Sequence, residues 1–167
     1  YSTSVIFERR HGDCKDKALL LCALLSEIGV TAHPVVIFAD DMRSKDDLEL
    51  AIIQHFNHVI AYMPAQDGRP AMFLDGTATL HPLGTLPEMD QGAQVVVVDN
   101  GKALVREVPW TTPEQNDDRI RWDIELREGD LRGAQTEEPT GNASVRLRTE
   151  LAAEPARRKE KLERVLV

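Results

Sequence analysis

Residues 13–28 constrain the fold most, because they carry the full sequence pattern of one helix. Asp13 is the predicted N-cap, and Asp16 three residues later completes a capping-box pattern. Gly29 supplies a residue that ends helices. Apolar residues recur at helical spacing along one face: Cys14, Ala18, Leu21, Leu25 and Ile28. We therefore predict one amphipathic helix with a cysteine in its first turn.

Apolar runs separated by turn residues predict an antiparallel sheet after this helix. The runs lie at residues 34–38, 58–63, 71–75, 95–98 and 103–108. Turn-rich residues 64–70 join the second and third runs, and Asn100-Gly101, a strong hairpin signal, joins the last two. The fold class is therefore α+β, with a helix packed on an antiparallel sheet. The predicted core residues are Leu19, Leu21, Leu25, Val36, Ile60 and Phe73.

The composition changes at residues 109–118, a linker containing Thr, Pro and Asn, and we place a domain boundary near 113. Residues 1–112 form the first predicted domain and residues 113–167 begin a second, β-rich one. In the second, two stretches alternate as strands do, and residues 152–166 predict a charged helix; the alternating residues are Ile120, Trp122, Ile124 and Leu126, then Val145 and Leu147. Trp110 and Trp122 are predicted to pack the junction. The chain begins at Tyr1 and ends inside a predicted helix, so we interpret it as a piece of a longer protein.

Charge and composition exclude several kinds of partner. The 167 residues carry 28 acidic and 20 basic side chains, a net charge of −8, and no basic stripe interleaved with aromatics, which argues against a nucleic-acid partner. No apolar run approaches the length of a membrane span. Cys14 and Cys22 lie two helical turns apart, roughly 12 Å, too far for a disulfide. The pattern predicts no metal and no cofactor.

Three polar residues form the candidate catalytic group. The first turn of a helix favours a thiolate, which makes Cys14 a candidate nucleophile, although Asp13 and Asp16 oppose this effect. Gly12 is expected to leave room for a substrate carbonyl. If the hairpin is centred between Gln66 and Asp67, His58 faces Asp75.

The alternative centre, Asp67-Gly68, places His58 opposite Thr77 with Asp75 two residues along on the same face. In both registers the carboxylate can hold one ring nitrogen of the histidine. The other nitrogen is then free to take a proton from sulfur.

These residues resemble a family. The segments Arg10-His11-Gly12-Asp13-Cys14-Lys15-Asp16-Lys17-Ala18, Phe56-Asn57-His58-Val59 and Leu74-Asp75-Gly76-Thr77 are similar, in order and spacing, to the three motifs of bacterial transglutaminase-like proteins. The resemblance covers about residues 5–110. It implies a transglutaminase/papain-like core with Cys14, His58 and Asp75 as catalytic triad, flanked by β-rich domains. It also implies a protein or peptide substrate and a periplasmic or exported protein.

Two features depart from the family pattern. Gly76 stands where the family usually has proline, and residues 1–13 contain no Gln or Trp that could complete an oxyanion hole.

The resemblance implies acyl transfer or hydrolysis of a carboxamide or peptide through a cysteine thioester. The alternative is a catalytically silent module that binds a peptide or assembles a complex through the same cleft.

Other arrangements of polar residues are less favoured by the sequence. His11, His55 and His58 with Cys14 lack the spacing of a zinc site. His55 could compete as the base, but on a strand it would point away from His58. Five acidic residues lack the spacing of a calcium loop and are expected to be solvated: Asp40, Asp41, Asp46, Asp47 and Glu49.

Overall fold

The computed structural model describes residues 1–42 and 52–165. The chain divides into two compact units. The first contains Tyr1–Thr79 and Leu83–Trp110, and the second contains Leu80–Pro82 and Thr111–Val167. Each unit is described by itself.

Two helices open the first unit. The predicted helix is α2, Cys14–Glu27, with Asp13 as its N-cap. The capping box is confirmed, since the Asp16 N–H donates to Asp13 Oδ1 at 3.2 Å and the Asp13 N–H donates to Asp16 Oδ2 at 3.3 Å. Gly29, with φ of +77°, follows the helix end as predicted. A shorter helix, α1 (Thr3–Arg9), precedes it and was not predicted.

A five-stranded antiparallel sheet forms the rest of the first unit. Its strands are β1 (His33–Ile37), β2 (His58–Met63), β3 (Met72–Leu74), β4 (Gln94–Asp99) and β5 (Lys102–Glu107). The strand order is β3-β2-β1-β4-β5, and α2 packs against β2 and β1. The predicted α+β class with antiparallel sheets is confirmed.

The turn between β2 and β3 sets the register of the strands that carry the candidate site. Asp67 and Gly68 both have positive φ, 49° and 75°, the conformation of a two-residue hairpin turn that matches strand twist. Gln66 and Arg69 exchange backbone hydrogen bonds of 3.1 and 2.8 Å across it. Ala61 therefore pairs with Leu74, which is the register centred on Asp67-Gly68.

The core of the first unit lies in the sheet. Its buried members are Val35, Ile37, Ile60, Phe73, Leu86, Ala93, Val95, Val97 and Val108. Of the predicted core, Ile60 and Phe73 are buried, and three residues are partly buried: Leu21, Leu25 and Val36. The prediction for Leu19 was wrong, since it is 43% exposed. Successive helical residues differ by about 100°, so Leu19 lies off the face on which Ala18 is buried.

The predicted apolar face also extended too far along α2. Ile28 is 73% exposed because α2 ends at Glu27.

Trp110 is 60% exposed, and its indole ring lies on Gly92 in the same unit. Gly92 has a φ of +70°, and a Cβ there would overlap the ring.

The second unit contains a hairpin and two helices. The strands β6 (Asp118–Arg127) and β7 (Asp130–Pro139) pair along their full length, and α3 (Ala143–Leu151) and α4 (Pro155–Val165) follow. The strand predicted around Val145 and Leu147 was wrong, because both residues lie in α3. Two alternating positions do not distinguish a strand from a helix, and Asn116 Oδ1 fixes the helix start by accepting the Ala143 N–H at 2.8 Å.

Among the described residues, the helices are too short or too polar to cross a membrane. The interpretation of residues 113–167 as the start of a β-rich domain stays a prediction.

Candidate active site

Cys14 is the first residue of α2 and its side chain is partly exposed. The first backbone N–H groups of a helix have no partner within the helix, so the Cys14 N–H points toward its open end. The two neighbouring carboxylates, which the sequence placed in opposition to a thiolate, are both engaged in the capping box. The helix end therefore presents a thiol whose own backbone N–H has no partner within the helix.

Gly12 has a packing role, and the expectation that it leaves room for a substrate carbonyl stays a prediction. A Cβ at Gly12 would lie 2.6 Å from Asp16 Cβ and 3.3 Å from Ile6 Cγ2. That space is therefore already occupied by side chains of α2 and α1. Glycine allows the two helices to approach closely just before the thiol.

Asn57 fixes the strand position of His58, the first residue of β2. The Ala39 N–H donates to Asn57 Oδ1 at 2.7 Å, and Asn57 Nδ2 donates to the Ala39 carbonyl at 2.9 Å. The Asn57 N–H also donates to the Ile37 carbonyl at 3.1 Å. These bonds extend the pairing of β1 and β2 by one residue, where His58 pairs with Ile37.

Asp75 directly follows β3 and contacts His58. His58 Nε2 and Asp75 Oδ2 are 3.3 Å apart, and their side chains are 16% and 3% exposed. Thr77 holds the carboxylate from the other side, because its N–H and its Oγ1 each donate to Asp75 Oδ1 at 2.7 Å. One ring nitrogen of His58 therefore faces a fixed carboxylate.

The electrostatics of the site favour a charged imidazole. The hydrogen bond with Asp75 is the main cause that raises the pKa of His58 from 6.5 to about 9, against the opposing effect of burial, and a hydrogen bond with the Cys14 side chain adds to it. Burial by itself would raise the pKa of Asp75, but the bonds from His58 and Thr77 lower it below its usual value. Burial raises the pKa of the Cys22 thiol. The structure thus brings His58 and Asp75 into direct contact, and the Cys14 side chain contributes to the electrostatics of His58.

A fourth ionisable residue of this site was not predicted. Asp90 is fully buried at the end of the 3₁₀ turn Glu88–Asp90. The ligand atoms of His58, Asp75 and Asp90 all lie within 4.8 Å of one another. A single Asp in a loop between two strands carries no local pattern that marks it as a site residue, so only the folded chain reveals it.

These three groups are the one set of potential metal ligands close enough to share an ion within the part of the chain that the structure describes. A hydrogen bond already accounts for the short contact between His58 and Asp75, so we assign them to a charge cluster rather than to a metal centre. The set does not include Cys14, His11 or His55. His55 lies in the 3₁₀ turn Ile53–His55 rather than in a strand.

The predicted acidic loop is only partly described. Asp40 Oδ1 accepts the Met42 N–H at 3.0 Å, while Asp46, Asp47 and Glu49 lie outside the described residues.

Comparisons of the chain with protein-family models, with curated proteins and with solved structures found no match. The function is therefore inferred from the site itself.

Proposed function

We propose that the first unit is a transglutaminase-like cysteine acyltransferase or hydrolase with Cys14 as nucleophile, His58 as base and Asp75 as the residue that orients the base. The proposal includes a papain-like arrangement, in which a helix carrying the nucleophile packs on a sheet carrying the histidine and the carboxylate. The observation that carries it is the 3.3 Å contact between His58 Nε2 and a buried Asp75 carboxylate. The Cys14 side chain also contributes to the raised pKa of His58.

The first half-reaction forms a thioester. Cys14 gives its proton to His58, and the sulfur attacks the carbonyl carbon of a carboxamide in a protein or peptide. The Cys14 backbone N–H can donate to the oxyanion that develops. The carbon–nitrogen bond then breaks, and the leaving nitrogen takes the proton from His58 and departs as ammonia or an amine.

The second half-reaction restores the enzyme. An amine or water gives a proton to neutral His58 and attacks the thioester carbonyl. The carbon–sulfur bond breaks, and the sulfur recovers its proton from His58. An amine yields a new amide, whereas water yields a carboxylate. The triad is common to both outcomes, so the acceptor decides between transfer and hydrolysis.

Ammonia release from a glutamine-containing peptide, with and without an added primary amine, tests the proposal. We expect Cys14→Ala to abolish release and His58→Ala to fall close to it, because the thiol loses its base. Cys22→Ala is the matched control and should retain activity. Wild-type turnover by Cys14→Ala would assign the chemistry to another site.

A catalytically silent peptide-binding module is the alternative outcome. It predicts no ammonia release from any tested peptide and slow alkylation of Cys14 below about pH 7, as for an ordinary thiol. Fast alkylation at that pH together with turnover excludes it.

A further inference from the structure

Asp90 lies next to the proposed triad without belonging to it. Asp90 is fully buried, although Glu88 and Met89 in the same turn are exposed. Burying a carboxylate in a protein interior is costly unless charged or hydrogen-bonding groups compensate. The 4.8 Å cluster with His58 and Asp75 places a compensating imidazole beside it.

The loop that carries Asp90 is fixed on both sides. The Asp40 N–H donates to the Met89 carbonyl at 2.8 Å, and the Gly92 N–H donates to the Val108 carbonyl at 2.9 Å. Gln91, also buried, donates from Nε2 to the Leu86 carbonyl at 2.9 Å. The backbone that carries Asp90 is therefore held on both sides of the residue, and its buried carboxylate lies beside His58 and Asp75.

We propose that Asp90 is a positioning residue, whose carboxylate acts with Asp75 on His58 to hold the imidazole charged and in place. This inference rests on the proposed function and deepens it. The titratable groups that act on His58 from the surrounding elements are Cys14 on α2, Asp75 after β3 and Asp90 in the 3₁₀ turn. Two of the three are carboxylates, and both favour the protonated imidazole.

The consequence differs for the two half-reactions. The first step places a proton on His58 as sulfur attacks, and a second carboxylate favours that charged state. The second step needs neutral His58 to accept a proton from the incoming amine or water. Asp90 therefore makes thioester formation easier and moves resolution of the thioester to higher pH.

Imidazole titration by NMR tests the proposal without requiring activity. The ¹⁵N-labelled chain is titrated from pH 5 to 10.5, and the His58 signals are identified by their loss in His58→Gln. In Asp90→Asn we expect the His58 midpoint to fall by roughly one unit, the size of effect expected for a charge within about 4–6 Å. Glu88→Gln is the matched control, since it removes the same charge from an exposed position of the same turn. The His58 midpoint should not move in this variant.

Equal midpoints in Asp90→Asn and wild type, or equal shifts in Asp90→Asn and Glu88→Gln, would overturn the proposal. If Asp90→Asn fails to fold, the wild-type chain still decides. The ¹³C shift of the Asp90 carboxyl should show an inflection at the His58 midpoint, and a curve without that inflection overturns the role of Asp90.

The pH dependence of turnover separates this inference from the proposed function. In Asp90→Asn the pH at which thioester resolution becomes fast should fall together with the NMR midpoint. A shifted NMR midpoint in a protein that releases no ammonia from any peptide would refute the proposed enzyme while supporting the charge coupling of Asp90 to His58.

Discussion

Replacing Asp75 with Asn tests how the site is held, because it changes one atom of the contact with His58. An Asn Oδ1 can still accept the bonds from the N–H and Oγ1 of Thr77. The amide nitrogen then takes the place of Oδ2, 3.3 Å from His58 Nε2. The amide N–H of Asn at this position can bond only an unprotonated Nε2. The neutral ring therefore carries its proton on Nδ1, the nitrogen that would otherwise accept the proton of the thiol.

The size of the effect follows from the His58 pKa, which is raised from 6.5 to about 9 with Asp75 as the main cause. Losing most of that shift removes roughly 2 to 3 kcal/mol of stabilisation of the charged imidazole. We expect kcat/KM for ammonia release to fall roughly 30- to 150-fold, since about 1.4 kcal/mol corresponds to a factor of ten in rate. Weak activity remains, because Cys14 can still form the thioester.

The same substitution should make the free energy of unfolding depend differently on pH. A group whose pKa is raised on folding contributes its full stabilisation below its unfolded pKa, here 6.5, and that contribution is lost as the pH rises through the folded value. Asp75→Asn should therefore be less stable than wild type by up to roughly 2 kcal/mol at pH 6, allowing for the relieved cost of burying a carboxylate. The difference should nearly vanish by pH 10.

Urea unfolding followed by circular dichroism at pH 6 and pH 10 measures this difference. Asp99→Asn is the control, because it makes the same substitution in another His–Asp contact. His33 Nδ1 and Asp99 Oδ1 are 3.4 Å apart. His33 is the first residue of β1, whereas His58 pairs with the last one, Ile37. Asp99→Asn should leave ammonia release unchanged. A stability difference for Asp75→Asn that is the same at pH 6 and pH 10 would refute the charged pair.

Three further outcomes are expected. Brief treatment of the folded protein with iodoacetamide should label Cys14 ahead of Cys22, whose thiol pKa is raised by burial, and equal labelling in mass spectra would refute the assignment. Thr77→Val should lower kcat/KM severalfold, less than Asp75→Asn, because the backbone N–H still holds the carboxylate; activity equal to wild type would make the hydroxyl irrelevant. Gly12→Ala should cost about 1–3 kcal/mol in urea unfolding, the usual range for overpacking, and wild-type stability would contradict the close approach of α1 and α2.

The sequence predicted those features that individual residue types encode locally. Asp13 and Asp16 specify a helix start through their own side chains. Asp-Gly and Asn-Gly tolerate the positive φ that a two-residue turn requires, and Asn100 and Gly101 adopt φ of 46° and 81°. The register of β2 and β3, and with it the meeting of His58 and Asp75, follows from such a turn.

Other features depend on contacts that the local pattern does not contain. Leu19 has the composition of a core residue, but its exposure depends on which face of α2 the sheet covers. Val145 and Leu147 fit either a strand or a helix, and the bond that the Ala143 N–H donates to Asn116 Oδ1 helps fix the helix start. Asp90 reaches His58 only because β1, β2 and β4 are neighbours in the sheet, a pairing between segments far apart in sequence.

The indole of Trp110 lies on Gly92, two residues beyond Asp90, and this contact supplies an optical reporter of the loop that carries the buried carboxylate. The chain has two tryptophans. Replacing Trp122, which belongs to the other unit, with Phe leaves Trp110 as the one tryptophan that fluoresces. Displacement of the loop would change the quenching of the ring and its contact with solvent. If ligand binding or proton uptake at the site displaces the loop, stopped-flow fluorescence of Trp110 will follow that displacement in real time, without a label attached to the protein.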